Sequence, residues 1–237
     1  TPLYSSAASD VYKRQAITFV NENNADATNN DADGKIVSMM RSTIVTSDSN
    51  AGDDSGAAIE LWTKAEAGSL TKRWQVLSDG NLLPNATSTG IYLGVTSATA
   101  ANLLDDYEEG TWTPTIAADA GPTAYTTQLG YYTKIGRQVT VQFQIQIATI
   151  GSFAGAAMLI GALPFTILNA INTIGQIFID GAASDIQAAG DLVWRGTLNA
   201  TSAAIEGNSG NAAHDNNINA NTIDTGSIIY GKLVYFT

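Results

Sequence analysis

The sequence contains no cysteine and a single histidine among its 237 residues. That excludes a disulfide framework, a thiolate metal site and a cysteine nucleophile, and it leaves no histidine pair for zinc. Charge is scarce as well. Only 14% of residues are charged, and 11 Lys and Arg against 22 Asp and Glu give a formal net charge of −11. A surface that tracks phosphates needs clustered cations, so no nucleic-acid partner is expected, and neither a basic-patch partner nor a membrane surface is indicated. There is no nucleophile elbow, phosphate loop, dinucleotide fingerprint or zinc-ligand spacing. No enzyme activity and no cofactor are expected on these grounds.

A long unbroken apolar run is also missing. The longest apolar region, residues 153–179, is interrupted by Gly155, Gly161, Pro164 and Asn169, whereas a membrane span needs about 20 mostly apolar residues. It reads as two buried strands around a Leu163-Pro164-Phe165 turn, with no membrane insertion. Solubility must therefore come largely from Asn, Thr, Ser and Gln. The length suits one domain with an extension.

What is present is almost entirely β-pattern. From residue 138 to 147 the alternation is unbroken, with Val139, Val141, Phe143, Ile145 and Ile147 on one side and Gln138, Thr140, Gln142, Gln144 and Gln146 on the other. Period two over this length marks a half-buried strand roughly 33 Å long. Further strands are expected at 176–180, 191–198, 203–206 and 228–236, each bounded by Gly, Asn or Asp turn signals. The last of these carries Tyr230, Leu233, Tyr235 and Phe236 and is expected to dock. Short strands with no helical crossovers indicate an all-β fold, an antiparallel β-sandwich of jelly-roll kind.

The upstream half differs. Strands expected at 16–20, 35–40, 58–62 and 73–77 are separated by polar turns, and each is too small to bury a core, so stacking with other copies is the natural remedy. A short helix is expected near 98–104, with Ser97 or Thr99 as cap.

The segment Leu104-Asp105-Asp106-Tyr107-Glu108-Glu109-Gly110-Thr111-Trp112-Thr113-Pro114-Thr115, followed by Gly130-Tyr131-Tyr132-Thr133-Lys134-Ile135-Gly136-Arg137, resembles virion proteins of tailed bacteriophages, as does the turn at Leu163-Pro164-Phe165. The resemblance covers residues 16–237 in style and 88–165 in motif. It implies a fibrous β stalk over 16–96, an acidic junction over 97–112 and a β-sandwich tip over 113–237. The phrase Ser78-Asp79-Gly80-Asn81-Leu82-Leu83 resembles one that recurs in fibre stalks in which three chains wrap together, which implies a homotrimer. It further implies a place in the virion, other virion proteins as upstream partners, and a host-surface glycan or protein as the ligand of the tip. Residues 1–15, with Ser5-Ser6-Ala7-Ala8-Ser9-Asp10-Val11-Tyr12-Lys13-Arg14-Gln15, resemble translated adapter sequence from environmental assemblies and are set aside from the fold. On that reading the chain is a fragment.

Several groups of residues carry chemistry. Asn29-Asn30-Asp31-Ala32-Asp33-Gly34 matches the opening of a calcium loop, but Met40 stands where a bidentate Glu would close it, so a solvated turn is the plainer account. The pairs Asp53-Asp54, Asp105-Asp106 and Glu108-Glu109 are candidates for a glycosidase dyad. Neighbours on a strand point to opposite faces, so they read instead as a repelling, flexible acidic junction around 105–109. Of the aromatics Trp112, Tyr125, Tyr131, Tyr132, Trp194, Tyr230 and Tyr235, most should be core, while any exposed beside amides could stack on a sugar. Trp194 can face either way. Loops at 199–211 and 214–225 are natural recognition surfaces. The candidate ligand-binding residues are therefore Trp194, His214, Asn216 and Asn217, with Gln142 and Gln144 on the polar side of the long strand, where the alternative is a solvent-facing or trimer-facing ladder.

Overall fold

The computed structural model describes residues 14–21, 36–44, 56–66, 68–117, 121–151, 157–181, 192–207, 216–218 and 223–237. The chain forms two compact units, Thr1–Asp105 and Asp106–Thr237, dividing inside the segment expected to be a junction. The candidate calcium loop, the pair Asp53-Asp54 and His214 lie outside the described residues.

In the first unit, β1 (Arg14–Val20), β2 (Ile36–Ile44), β3 (Ala57–Lys64), β4 (Leu70–Val76) and β5 (Leu82–Pro84) form one antiparallel sheet in chain order. All four strands expected upstream are there, and β1 begins two residues inside the segment set aside as adapter-like. The Ser78-Asp79-Gly80-Asn81 turn closes the β4–β5 hairpin. Asp79 accepts a hydrogen bond from the Asn81 N–H at 3.0 Å, and Gly80 takes φ +88°, a geometry that suits glycine.

The two faces of this sheet differ in kind. On one, Arg41, Glu60 and Gln75 are cross-strand partners. Glu60 is buried and accepts hydrogen bonds from Arg41 Nε at 2.7 Å and Trp62 Nε1 at 3.1 Å, while Arg41 stacks 4.4 Å over the Trp62 ring. The register skips Arg73, a bulge that aligns Lys72 with Trp62 and brings its Nζ within 3.6 Å of Glu60. Burial alone would raise the Glu60 carboxyl, but the bonds from Arg41 and Trp62 and the charges of Arg41 and Lys72 hold it below the usual carboxylate range. This face thus carries the ion-pair cluster of the sheet, with Val37 and Leu83 exposed beside it. The opposite face carries Ile17, Phe19, Met40, Ile59, Leu61 and Leu82, all exposed, together with Arg73, whose Nε donates to Thr63 Oγ1 at 3.1 Å.

Downstream, β6 (Ile91–Tyr92) and β7 (Leu103–Leu104) pair as a small ribbon. Where a helix was expected there is a single 3-10 turn, Ala100–Asn102, and Thr99 makes no side-chain cap. The chain must turn back at once to pair β7 with β6, which leaves no room for α-helical turns.

The second unit holds β8 (Tyr107–Trp112), β9 (Thr115–Ala117), β10 (Ala124–Ile135), β11 (Gln138–Thr149), β12 (Leu159–Gly161), β13 (Ile174–Asp180), β14 (Leu192–Gly196), β15 (Ala203–Gly207), β16 (Asn216–Asn217) and β17 (Ile228–Phe236). They form one antiparallel sheet in the order β8-β10-β11-β17-β13-β14-β15-β12-β9, with β16 on β15. The fold is all-β, antiparallel and sandwich-like as expected, and the sheet of the second unit is curled into a half-barrel. The reason is visible in the order. Strands β8 and β9 lie at opposite ends of the sheet, yet only Thr113 and Pro114 separate them, a link that spans at most about 11 Å. The sheet must therefore curl until its ends meet at that corner. The apolar region 153–179 contributes β12 and β13, which do not pair with each other, and no described helix is long and apolar enough to cross a membrane.

The core fills the inside of the curl. Val139, Val141, Phe143, Ile145 and Ile147 of β11 all point inward and are buried, against Trp194, Ile205, Ile229, Leu233 and Tyr235 from neighbouring strands. Burial of each such side chain is worth about 1.5–3 kcal/mol. The last strand, β17, lies between β11 and β13. Aromatic rings lean over glycines on adjacent strands. Trp112 lies over Gly130 and Phe143 over Gly231, and both glycines are direct cross-strand partners of those rings. The resulting edge-to-face chain runs Trp112–Phe143–Trp194, with ring centroids 6.0 and 5.0 Å apart.

Candidate functional site

The motif that opens the second unit is a docked edge strand. Strand β8 pairs with β10 in the register Tyr107↔Ile135 to Trp112↔Gly130. Its acidic residues are engaged one by one. Asp106 forms an ion pair with Lys134, Glu108 accepts a hydrogen bond from the Tyr132 hydroxyl, and Glu109 accepts one from the Tyr107 hydroxyl at 3.1 Å. Lys134 is buried despite its charge, with its ammonium 5.5 Å from the Phe165 ring centre. Tyr132 packs edge-on against Phe165 and over Gly110. The bond to Glu108 raises the Tyr132 hydroxyl above its usual pKa, because ionisation would set two anions together. The expectation of a repelling, flexible junction is corrected here. The acidic residues and the Tyr-Tyr-Thr-Lys strand form one locking unit, and each carboxylate at 106, 108 and 109 is held by a separate partner, not set against another carboxylate.

Trp194 is also corrected as a ligand-binding candidate. It is fully buried, its Nε1–H donates to the Ala203 carbonyl at 3.1 Å, and the Phe143 ring meets its indole. No sugar can reach it. Asn216 and Asn217 form the two residues of β16, paired to Gly207 and Glu206.

Gln142 and Gln144 fare differently, because the curl turns their side outward. Cross-strand registers give the rows of this outer face. One row runs Leu129–Gln144–Tyr230–Phe178 across β10, β11, β17 and β13, and the next runs Thr111–Tyr131–Gln142–Lys232–Gln176 across β8 to β13. Tyr131 is 59% exposed and Phe178 63%. Phe178 and Tyr230 lie side by side, ring centroids 6.3 Å apart and inclined by 35°. With strands about 4.8 Å apart, Tyr131 and Lys232 bracket Gln142 across about 10 Å. The arrangement presents flat apolar rings, amides that both donate and accept, and one ammonium. Toward the other end of the same face the rows become more apolar, with Ile135, Gln138 and Phe236 in one and Thr140 with Val234 in another.

The sequence signal for the second half of this face was weak. Tyr131 and Tyr230 stood among the aromatics but without a side, and Phe178 was hidden inside an apolar region. Beside this face a shallow pocket is lined by Arg137, Leu168, Ile171, Thr173 and Phe236. Among the described residues no group of three or more His, Asp or Glu is placed to hold a metal ion. The chain matches no protein-family model and no curated protein.

Proposed function

We propose that the chain is a fibre or appendage protein of a tailed-phage virion, a homotrimer joined to other virion proteins upstream, whose second unit adheres to a glycan on the host surface. The observation that carries the reading is the Tyr131–Gln142–Gln144–Tyr230–Phe178 surface. Aromatic rings stack on the C–H face of a sugar while neighbouring amides read its hydroxyls, and neither interaction needs a deep cleft. Each site can be weak. Three copies on one particle raise the apparent affinity through effective concentration, and a virion multiplies that again.

A second reading, a structural cap without ligand, is favoured by the apolar end of the same face at Ile135, Val234 and Phe236. Binding of the full chain to a panel of bacterial surface polysaccharides, with Tyr131→Ala and Phe178→Ala beside it, separates the two. Adhesion requires binding that falls at least tenfold in both variants while their thermal stability stays unchanged. Failure to bind any polysaccharide, or binding indifferent to both changes, leaves the cap.

A further inference from the structure

The geometry points to an acidic glycan as the ligand of the second unit, with Lys232 as the residue that holds its carboxylate. This inference rests on the adhesion reading above and names the class of sugar within it. The second unit has four lysines and arginines, Lys134, Arg137, Arg195 and Lys232. Three are committed. Lys134 is paired with Asp106 and Arg195 with Glu206, and Arg137 Nε donates to the Thr237 carbonyl at 3.1 Å. Lys232 is exposed and, among the described residues, has neither an ion pair nor a hydrogen bond from its side chain. Nothing in the fold accounts for it. Lysine serves as a guard on exposed sheet edges, but β17 is flanked by β11 and β13 and has no open edge. It also lowers the magnitude of a net charge of −11, so it adds nothing to solubility.

Its neighbours are the groups that would read a sugar. Gln142 and Gln176 are its direct cross-strand partners, and Tyr230, two residues back on the same side of β17, stands about 7 Å away. Tyr131 lies one strand beyond Gln142, about 10 Å from Lys232. A sugar stacked on either ring brings its rim to the ammonium, with amides on both flanks for the hydroxyls. The described carboxylates nearest in register are Glu109, Asp180 and Glu206. Glu109 and Glu206 are three strands from Lys232, and Asp180 is four residues along the neighbouring strand, so each backbone position is about 14 Å away or more. That exceeds the ~8 Å over which exposed charges act at physiological salt. An anion on Lys232 therefore meets attraction there without repulsion from these acids, and Glu206 is in any case neutralised by Arg195. An ammonium is a point charge with three donors, and its bond to a carboxylate is roughly twice as strong as one to a neutral hydroxyl.

Binding of the full chain to uronate-bearing bacterial polysaccharides tests the assignment, each polymer being set beside its own carboxyl-reduced form. Carbodiimide activation and borohydride reduction turn the carboxylates into primary alcohols and leave the sugar rings and their other hydroxyls in place. At physiological salt, wild type should bind the acidic form about tenfold more tightly than the reduced form. Lys232→Gln should bind both forms alike, with thermal stability unchanged because no partner is lost, and Lys232→Arg should keep the preference. Equal wild-type binding of the two forms, binding to natively neutral polysaccharides alone, or a Lys232→Gln protein that still prefers the acidic form overturns the acidic class. Adhesion then still stands if the remaining binding falls in Tyr131→Ala and Phe178→Ala. Failure of wild type to bind any polymer, acidic, reduced or neutral, overturns the adhesion reading and this inference together.

Discussion

Replacing Gly231 by alanine tests whether the ring-over-glycine packing governs the stability of the second unit. A Cβ built there falls 2.2 Å from Phe143 Cε1, 2.8 Å from Cζ and 3.0 Å from Cδ1, far inside contact distance. The ring cannot step aside freely. It is 6% exposed and is met edge-on by Trp112 at 6.0 Å and Trp194 at 5.0 Å. Relief requires a shift of the whole aromatic chain or of β17. Overpacking of this kind costs about 1–3 kcal/mol. Against it, alanine lowers the entropy of the unfolded chain and returns ~0.4–1 kcal/mol, since Gly231 does not need a positive φ. The net expectation is a loss of about 1–2 kcal/mol in urea unfolding followed by near-ultraviolet circular dichroism. In a unit of this size that lowers Tm by roughly 3–8 °C. The cause is isolated by repeating the change in a Phe143→Leu background, where the clash disappears and the penalty should shrink to zero or reverse. A Gly231→Ala protein as stable as wild type, or a penalty that persists without the Phe143 ring, would refute the reasoning.

Two further perturbations follow from the locking strand and from β17. Asp106→Asn should cost about 1–2 kcal/mol, because it leaves the buried Lys134 ammonium with only the Phe165 ring and half-exposed surroundings. Asp105→Asn should stay within about 0.5 kcal/mol. Equal effects of the two, measured by thermal unfolding, would return the segment to a mere acidic linker. Burial pushes the Tyr235 hydroxyl up to about 12, opposed by the hydrogen bond its oxygen accepts from the Phe165 N–H at 3.3 Å, while the hydroxyl donates to the Phe165 carbonyl at 3.1 Å. A raised folded-state value means that its contribution is complete below about pH 10 and is lost as pH rises from 10 to 12, up to about 2–3 kcal/mol. Tyr235→Phe should remove that part of the alkaline loss and cost about 1–2 kcal/mol at neutral pH. An alkaline unfolding curve identical in both proteins would discount the group.

The long strand β11 was legible because each residue does one thing: apolar residues face the core and amides face out. The expected strands that became β13, β14 and β17 kept enough of the same alternation, while β15, buried along its whole length, was marked by the turn signals that bound it. Strand β10 is as long and was invisible, for a physical reason. Its inward positions are Gln128, Gly130, Tyr132 and Lys134, a polar side chain, an absent one, an amphipathic one and a charge. None signals burial alone. They are satisfied by Pro114, Trp112, Glu108 and Asp106 from the strand before it or the corner after it. A period-two reading sees residues, whereas this strand is specified by pairs. The same distinction decides the aromatics. Trp112, Phe143 and Tyr132 each have a glycine to lean over on the adjacent strand, so they belong to the packing. Tyr131, Tyr230 and Phe178 are placed opposite Gln142, Gln144 and one another. A glycine inside a strand weakens it unless something needs the space. Gly110, Gly130 and Gly231 therefore mark three rings that the packing claims, whereas Tyr131, Tyr230 and Phe178 stand on the exposed face.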